Sequence, residues 1–162
     1  MKRVRTALYA GSFDPPTLGH LDIIKRTRSS LCDKLYILVS INALKKPALS
    51  TEMRVKLLTQ ITSSYTDIHI VANSGLVSDF ALSHHVDFLV RGIRSVKDLE
   101  SELALAAINK QLGVDTFMVP CDARYAHISS SLVRELALFK RRHPGLMPAE
   151  IENEVYDNLI KF

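Results

Sequence analysis

The chain has 162 residues, a length that suits one ordinary domain, so we predict a single folded unit over residues 1–162. Apolar residues make up 47% of the sequence, enough for a hydrophobic core, and the net charge of +4 suits an anionic ligand but equally a basic cytosolic protein. Two cysteines exclude a disulfide framework, and no apolar run approaches the roughly 18 residues of a membrane helix, so we expect a cytoplasmic protein without a membrane partner.

Short apolar runs alternate along the chain with longer stretches of helical periodicity. Strands are predicted at Val4–Tyr9, Leu35–Ile41, Ile68–Ala72, Phe88–Arg91 and Thr116–Val119, each apolar enough to be buried on both faces. Helices are predicted between these strands and after the last one, at Leu21–Ser29, Thr51–Ser63, Leu76–His84, Val96–Leu112, Ser130–Phe139 and Pro148–Ile160. This alternation predicts an α/β fold with a five-stranded parallel sheet and helices on both faces.

The segment between the first strand and the first helix carries the most specific signal. It contains Gly11-Ser-Phe-Asp-Pro followed by Thr17-Leu-Gly-His20. A strand that breaks here and continues as a helix offers the unpaired N–H groups of a helix start to a phosphate. Thr17 is placed to cap that helix, and His20 stands in its first turn. We therefore predict a phosphate-binding loop followed by a helix N-terminus.

Polar residues follow four of the predicted strands, at the strand ends that a parallel sheet brings to one edge. These segments are 12–20, 42–47, 91–94 and 120–131. They carry cations, hydroxyl groups and helix starts, and no pair of nucleophile and base stands out among them. Such a set favours phosphate chemistry that depends on positioning and charge stabilisation.

These motifs, together with Arg91-Gly-Ile-Arg94 and Ile128-Ser-Ser-Ser131, resemble the nucleotidyltransferase superfamily, which is built on a Rossmann-like core. Within it, the chain is most similar to the bacterial phosphopantetheine adenylyltransferases, and the resemblance spans almost the whole chain. It implies transfer of AMP from ATP to 4′-phosphopantetheine, giving dephospho-coenzyme A and pyrophosphate. It also implies Mg²⁺ as the cofactor, without assigned protein ligands, and assembly as a homohexamer.

The resemblance also implies roles for individual residues. The catalytic residues would be His20, Lys45 and Arg94, with His20 donating a hydrogen bond to the α-phosphate. The residues that would bind 4′-phosphopantetheine are Ser12, Lys45, Val77, Arg91 and Asn109. The residues that would bind ATP are Ser12, Phe13, His20, Gly92, Ile93, Arg94, Glu102, Tyr125, Ala126, His127, Ile128, Ser129, Ser130 and Ser131.

Simpler interpretations stand beside two of these roles. Arg94 is equally placed for an ion pair with Asp98 or Glu102, and a helical glutamate such as Glu102 is commonly solvated. The chain also departs from the family pattern at the parts that would bind pantetheine and adenine. Ser101 stands where an aromatic residue is frequent, and Val77 stands where the family has a larger apolar residue. The loop 121–124 is about one residue longer, as judged from flanking landmarks.

Two other functions remain open on the sequence alone. One is transfer to a different phosphorylated acceptor within the superfamily, such as nicotinate mononucleotide or glycerol phosphate. The other is a basic, non-catalytic nucleotide-binding protein. Thr17 and the pair Arg91 and Asn109 favour phosphopantetheine as the acceptor. A nucleic-acid partner is not expected, because no aromatic residue interleaves with the basic run 140–143.

Overall fold

The computed structural model describes residues 3–42, 44 and 46–160. Five strands form one parallel sheet: β1 (Thr6–Gly11), β2 (Lys34–Ser40), β3 (Ile68–Asn73), β4 (Phe88–Ile93) and β5 (Asp115–Pro120). Their order across the sheet is β3-β2-β1-β4-β5. The order reverses at β1, which pairs with β2 on one side and with β4 on the other. The predicted sheet is confirmed, and its switch point lies between β1 and β4.

Six α-helices accompany the sheet within the described residues: α1 (Leu18–Ser30), α2 (Thr51–Ile61), α3 (Val77–Ser83), α4 (Val96–Gln111), α5 (Ser130–Leu138) and α6 (Ala149–Leu159). A single 3₁₀ turn, Ala123–Tyr125, lies between β5 and α5. The predicted helices are confirmed, with ends that differ by up to three residues. The first begins at Leu18, because the Thr17 cap starts it earlier than the apolar periodicity indicates.

Two apolar clusters cover the two faces of the sheet. The larger one joins β1, β2 and β4 to α1, α2, α5 and α6, through residues such as Ile24, Leu58 and Val155. The smaller one joins Leu8, Leu38 and Leu89 to α3, and α4 packs beside β4 and β5. Helices therefore lie on both faces, as the sequence predicts.

The two edge strands depart from the prediction of full burial. The central strands β1 and β2 are buried along most of their length, whereas β3 and β5 alternate between covered and uncovered positions. No residue of α4 is fully buried, and Val96, Leu103, Leu105 and Ile108 are exposed on it. Each edge strand pairs with only one neighbouring strand. β3 and β5 resemble buried strands in sequence, yet part of their surface stays exposed.

Among the residues that the structure describes, no helix has both the length and the apolar character needed to span a membrane.

Candidate active site

A cavity of about 400 Å³ opens at the carboxyl ends of β1 and β4, at the switch point of the sheet. The predicted site residues that line it are Ser12, His20, Arg91, Gly92, Arg94, Glu102, Ile128, Ser129, Ser130 and Ser131. They come from the loop after β1 with the first turn of α1, from the end of β4 with α4, and from the start of α5. Three of the loops that the sequence brings to one edge therefore share one cavity.

The fourth predicted loop, which follows β2, contributes no described residue to the lining. Lys45, which the resemblance implies in catalysis and acceptor binding, lies outside the described residues. Its role stays a prediction.

His20 is the third residue of α1 and closes a reciprocal cap with Thr17. The Thr17 hydroxyl accepts a hydrogen bond from the His20 N–H at 3.4 Å, and the Thr17 N–H donates to His20 Nδ1 at 3.0 Å. A ring nitrogen that accepts an N–H carries no proton, so in the neutral ring the proton resides on Nε2. The cap therefore leaves His20 an Nε2–H donor in a side chain that lines the cavity.

The protonation state of His20 follows from its surroundings. Burial, together with the guanidinium groups of Arg94 and Arg91, lowers the pKa of His20 from 6.5 to about 4. The ring is therefore neutral at pH 7. The site holds it as a hydrogen-bond donor, while the two arginines supply the positive charge.

Distant side chains anchor the loop after β1 at its carbonyl oxygens. Arg54 of α2 is only 2% exposed and donates to the Ser12 carbonyl oxygen at 2.9 Å. Ser130 of α5 donates from Oγ to the Pro15 carbonyl oxygen at 2.7 Å. Because side chains of α2 and α5 hold the loop, its conformation is set by the packing of the whole domain.

Asp14 fixes the same loop through its carboxylate and its carbonyl oxygen. The carboxylate accepts hydrogen bonds from the N–H groups of Ala48 and Leu49, both at 2.8 Å. The carbonyl oxygen accepts from Arg134 Nη1 at 2.5 Å. Asp14 is therefore a structural residue that ties the phosphate loop to the segment before α2 and to α5.

Phe13 occupies a left-handed backbone conformation, with φ of 48°, and its ring is buried behind the cavity. The ring meets the His20 ring edge-on, with 5.0 Å between centroids. A Cβ on Gly11 would lie 3.2 Å from the Phe13 ring, so glycine at this position gives the ring its place. The Phe13 side chain thus positions His20, while its implied backbone contact with ATP stays a prediction.

Arg91, at the end of β4, is held by two acceptors. It pairs with the Glu102 carboxylate through Nε at 2.5 Å and Nη2 at 2.6 Å, and it donates from Nη1 to the Ala10 carbonyl oxygen at 2.7 Å. Glu102 is therefore an ion-pair partner within the described chain and not a solvated helix residue. The ion pair with Glu102 fixes one edge of the planar Arg91 guanidinium group at the cavity wall.

Arg94, which follows β4 directly, is anchored in the same way. Its Nε donates to Asp98 at 3.1 Å and its Nη1 donates to the Ile128 carbonyl oxygen at 3.1 Å. The ion pair with Asp98 that the sequence left open is present. Arg94 also joins the start of α4 to the segment before α5, and these two segments line opposite parts of the cavity.

The three serines at the start of α5 form its capped N-terminus. The Ser129 hydroxyl accepts a hydrogen bond from the Leu132 N–H at 3.1 Å, and Ser131 accepts from Arg134 Nη2 at 3.2 Å. All three serines line the cavity. A helix N-terminus presents unpaired N–H groups and a partial positive charge, so this end of the cavity suits an anion.

Several implied site residues lie outside the cavity lining. Val77 packs against the smaller apolar cluster, and Asn109 lies two turns beyond Glu102 on α4. Tyr125 lies beside the first turn of α1, because a Cβ built on Gly19 would be 3.9 Å from the Cβ of Tyr125. The others in this group are Phe13, Ile93, Ala126 and His127. Their implied roles stay predictions.

Further residues line the cavity although they were not assigned to the site from the sequence, among them Tyr9, Asp98, Cys121 and Arg134. Tyr9 belongs to an apolar strand and therefore resembles a core residue in the sequence. Arg134 stands one helical turn after Ser130, and that spacing is the signal that could have placed it on the same face.

The carboxylates of the cavity do not form a metal site. The described residues contain no cluster of three or more histidine, cysteine, aspartate or glutamate side chains suited to a metal ion. Asp98 and Glu102 line the cavity, and each is already paired with an arginine. These residues therefore do not fit an Mg²⁺ ion held by the protein alone.

The sequence matches known proteins over most of its length. A family model described as cytidylyltransferase-like matches residues 8–136. The chain is 37% identical over 150 residues to a phosphopantetheine adenylyltransferase of Clostridium botulinum (strain Langeland), an alignment that covers 91% of each chain. It is 38% identical over 156 residues to a phosphopantetheine adenylyltransferase of Lachnoclostridium phytofermentans, with 95% of each chain covered.

Solved structures share the fold at lower sequence identity. A Vibrio parahaemolyticus protein, described provisionally as a nicotinate-nucleotide adenylyltransferase, aligns with a TM-score of 0.66 and 14% identity over 98% of this chain and 100% of its own. A lipopolysaccharide core biosynthesis protein of Thermoplasma volcanium GSS1 aligns with a TM-score of 0.56 and 21% identity, covering 74% of this chain and 98% of its own. At these identities the likeness concerns the fold alone.

Proposed function

The chain belongs to the cytidylyltransferase-like family, and we propose that it transfers AMP from ATP to 4′-phosphopantetheine, giving dephospho-coenzyme A and pyrophosphate. One observation carries the proposal: a single cavity joins His20, the two anchored arginines and the serine-capped start of α5. Relatives that match more than nine-tenths of the chain carry the name of this activity. The fold alone would also suit other phosphorylated acceptors.

The reaction needs donors and cations more than it needs a base. The acceptor phosphate is already an anion, and it attacks the α-phosphorus of ATP in line as pyrophosphate leaves. The main obstacle is the crowding of negative charge between two polyanionic substrates. Fixed donors that face the developing charge lower this barrier, and they need no reorganisation as the reaction proceeds.

Within the proposal, His20 donates from Nε2 to the α-phosphate. Its neutral ring and its fixed tautomer both follow from the cap with Thr17 and from burial. Ser12 binds the acceptor phosphate, and the capped start of α5 takes the β- and γ-phosphates and then releases them as pyrophosphate. In this proposal, negative charge therefore moves with the leaving pyrophosphate from the α-phosphate toward the start of α5.

The arginines can serve the substrates without leaving their carboxylates. A guanidinium group has five N–H donors, and Arg91 uses three of them on Glu102 and Ala10. The remaining two donors are available to a phosphate, and we assign Arg91 to the acceptor. Arg94 is anchored equivalently, and we assign it to ATP.

We assign the remaining implied residues on the resemblance and the matched relatives. Lys45, Val77 and Asn109 belong to the 4′-phosphopantetheine side, together with Ser12 and Arg91. The ATP side comprises Ser12, Phe13, His20, Gly92, Ile93, Arg94, Glu102, Tyr125, Ala126, His127, Ile128, Ser129, Ser130 and Ser131. Mg²⁺ belongs to the proposal as an ion carried by the ATP phosphates, which it binds together with few protein ligands.

The proposed assembly is a homohexamer in the cytoplasm. The number of copies and the location rest on the resemblance. On α4, Leu103, Leu105 and Ile108 are each about half exposed, which is compatible with an interface between copies.

His20→Ala tests the proposed site. We expect kcat for pyrophosphate release to fall about 10²- to 10³-fold, with the Kd for ATP within a few-fold of wild type, because the donor acts chiefly in the transition state. His69→Ala is the matched control, since His69 lies on β3 and does not line the cavity. Steady-state kinetics and calorimetry measure both variants. Equal losses of rate and ATP affinity in His20→Ala, or no loss, would overturn the assignment.

A further inference from the structure

The wall of the cavity contains a hydroxyl group that the proposed mechanism does not use. Tyr9 lies on β1, is only 6% exposed and lines the cavity. Among the hydrogen bonds of the described residues, none involves the Tyr9 hydroxyl. The hydroxyl of a covered tyrosine commonly has a hydrogen-bond partner in the protein. The Tyr9 hydroxyl is not among the fully buried polar atoms that lack a partner, so it faces the open cavity instead.

Two other covered tyrosines in this chain follow the ordinary pattern. The Tyr36 hydroxyl accepts a hydrogen bond from Lys34 Nζ at 2.8 Å. The Tyr156 hydroxyl donates to the His143 carbonyl oxygen at 3.2 Å. Tyr9 differs from these two in that its hydroxyl has no protein partner and lies at the wall of the cavity.

The packing around Tyr9 fixes its hydroxyl beside the end of β4. Its ring meets the Phe13 ring edge-on at 5.4 Å between centroids, and the His20 ring lies 6.4 Å away. A Cβ on Gly92 would lie 3.6 Å from the Tyr9 hydroxyl oxygen and 3.1 Å from Ile23 Cγ1. Glycine at position 92 therefore keeps space open beside the hydroxyl.

The charges near Tyr9 indicate what its partner is. Burial raises the pKa of Tyr9 far above its usual value, so the hydroxyl keeps its proton and can donate. Arg91 and Arg94 act on it electrostatically, as they do on His20. The Glu102 carboxylate and Cys121 also act on it, but Glu102 is already paired with Arg91. The hydroxyl, with the His20 donor and the two guanidinium groups near it, is complementary to an anionic oxygen.

We propose that the Tyr9 hydroxyl is a further substrate-binding group, which donates a hydrogen bond to a phosphate oxygen of the nucleotide at the reacting centre. The proposal rests on the proposed function, because it takes the nucleotide as the ligand of this cavity. It adds a donor from strand β1 to the donors of α1 and α5.

Tyr9→Phe tests the proposal, with Tyr36→Phe as the matched control. We expect kcat/KM for ATP to fall about 10- to 100-fold in Tyr9→Phe, the loss typical of a hydrogen bond to a charged group. Its melting temperature without substrate should stay close to that of wild type, because the change removes a hydroxyl that faces the cavity and has no protein partner to lose. Tyr36→Phe should instead lower the melting temperature slightly and leave kcat/KM unchanged.

Substrate analogues separate a phosphate contact from a ribose contact. The Tyr9→Phe loss should persist with 2′-deoxy-ATP and with 3′-deoxy-ATP, since neither change touches a phosphate. Disappearance of the loss with either analogue, or an unchanged kcat/KM with ATP, would overturn the proposal. If the wild-type chain released no pyrophosphate, the proposed function itself would fail. If the wild-type chain is active, the comparison of Tyr9→Phe with wild type tests the Tyr9 proposal alone.

Discussion

At the scale of single residues, His20 takes part in a helix cap and also lines the cavity. Glutamate or glutamine is the usual third residue of a capping box, where its side chain returns to the N-cap N–H. Histidine makes the same return bond with Nδ1, and that bond determines which ring nitrogen carries the proton. One local contact therefore starts the helix and orients the donor.

The pKa of His20 predicts a measurable pH dependence. In the ligand-free chain the ring should titrate near pH 4, as followed by the pH dependence of its NMR ring-proton shifts. Between about pH 6.5 and 4 the unfolded chain binds a proton at this residue and the folded chain does not. Stability supplied by neutral His20 is thus complete above pH 6.5 and is lost as the pH falls toward 4. A ring midpoint near 6.5 would contradict the burial and the influence of the arginines.

Residue-level prediction succeeded where chemistry is local and failed where it depends on distant partners. Gly11, Thr17 and His20 could be assigned from their spacing, because a phosphate loop and a cap are local motifs. The pairing of Asp14 with Arg134 joins positions 120 residues apart and leaves no local pattern. Tyr9 escaped because a tyrosine in an apolar strand resembles any other core residue until its hydroxyl is found without a partner.

At the scale of elements, two helix N-termini form a large part of the cavity wall. The cavity receives the N-terminus of α1 through Thr17 and His20, and that of α5 through its three serines. The sequence predicted the presence of both helices and missed only their ends. Ends are set by caps such as Thr17, whereas apolar periodicity reports the middle of a helix.

Removing two similar caps separates stability from function. Thr17→Ala and Ser50→Ala each delete the side chain that caps a helix, α1 and α2 respectively. Each should lower the free energy of unfolding by about 1 kcal/mol, as urea denaturation measures. Thr17→Ala should in addition lower kcat several-fold, because His20 Nδ1 loses its contact with the Thr17 hydroxyl at 3.1 Å. A comparable loss of kcat in both variants would mean that the cap acts through stability alone.

At the scale of the whole molecule, the sheet order creates the site. Reversal of the order at β1 lets the loops after β1 and β4 open toward each other. Arg54, Ser130 and Arg134 then tie the phosphate loop to α2 and α5. The topology was predictable from the alternation of strands and helices, whereas the exposure of β5 and α4 was not, because the sequence does not state which strands lie at the edge.

The proposed function requires that these segments bind two anionic substrates side by side, so that AMP is transferred to a phosphate monoester. Its most direct measurement is pyrophosphate release from ATP by the wild-type chain with separate acceptors: 4′-phosphopantetheine, nicotinate mononucleotide and glycerol 3-phosphate. We predict rapid release with 4′-phosphopantetheine, formation of dephospho-coenzyme A in equal amount, and little release with the other two. Preference for another acceptor, or no release with any of them, would contradict the account.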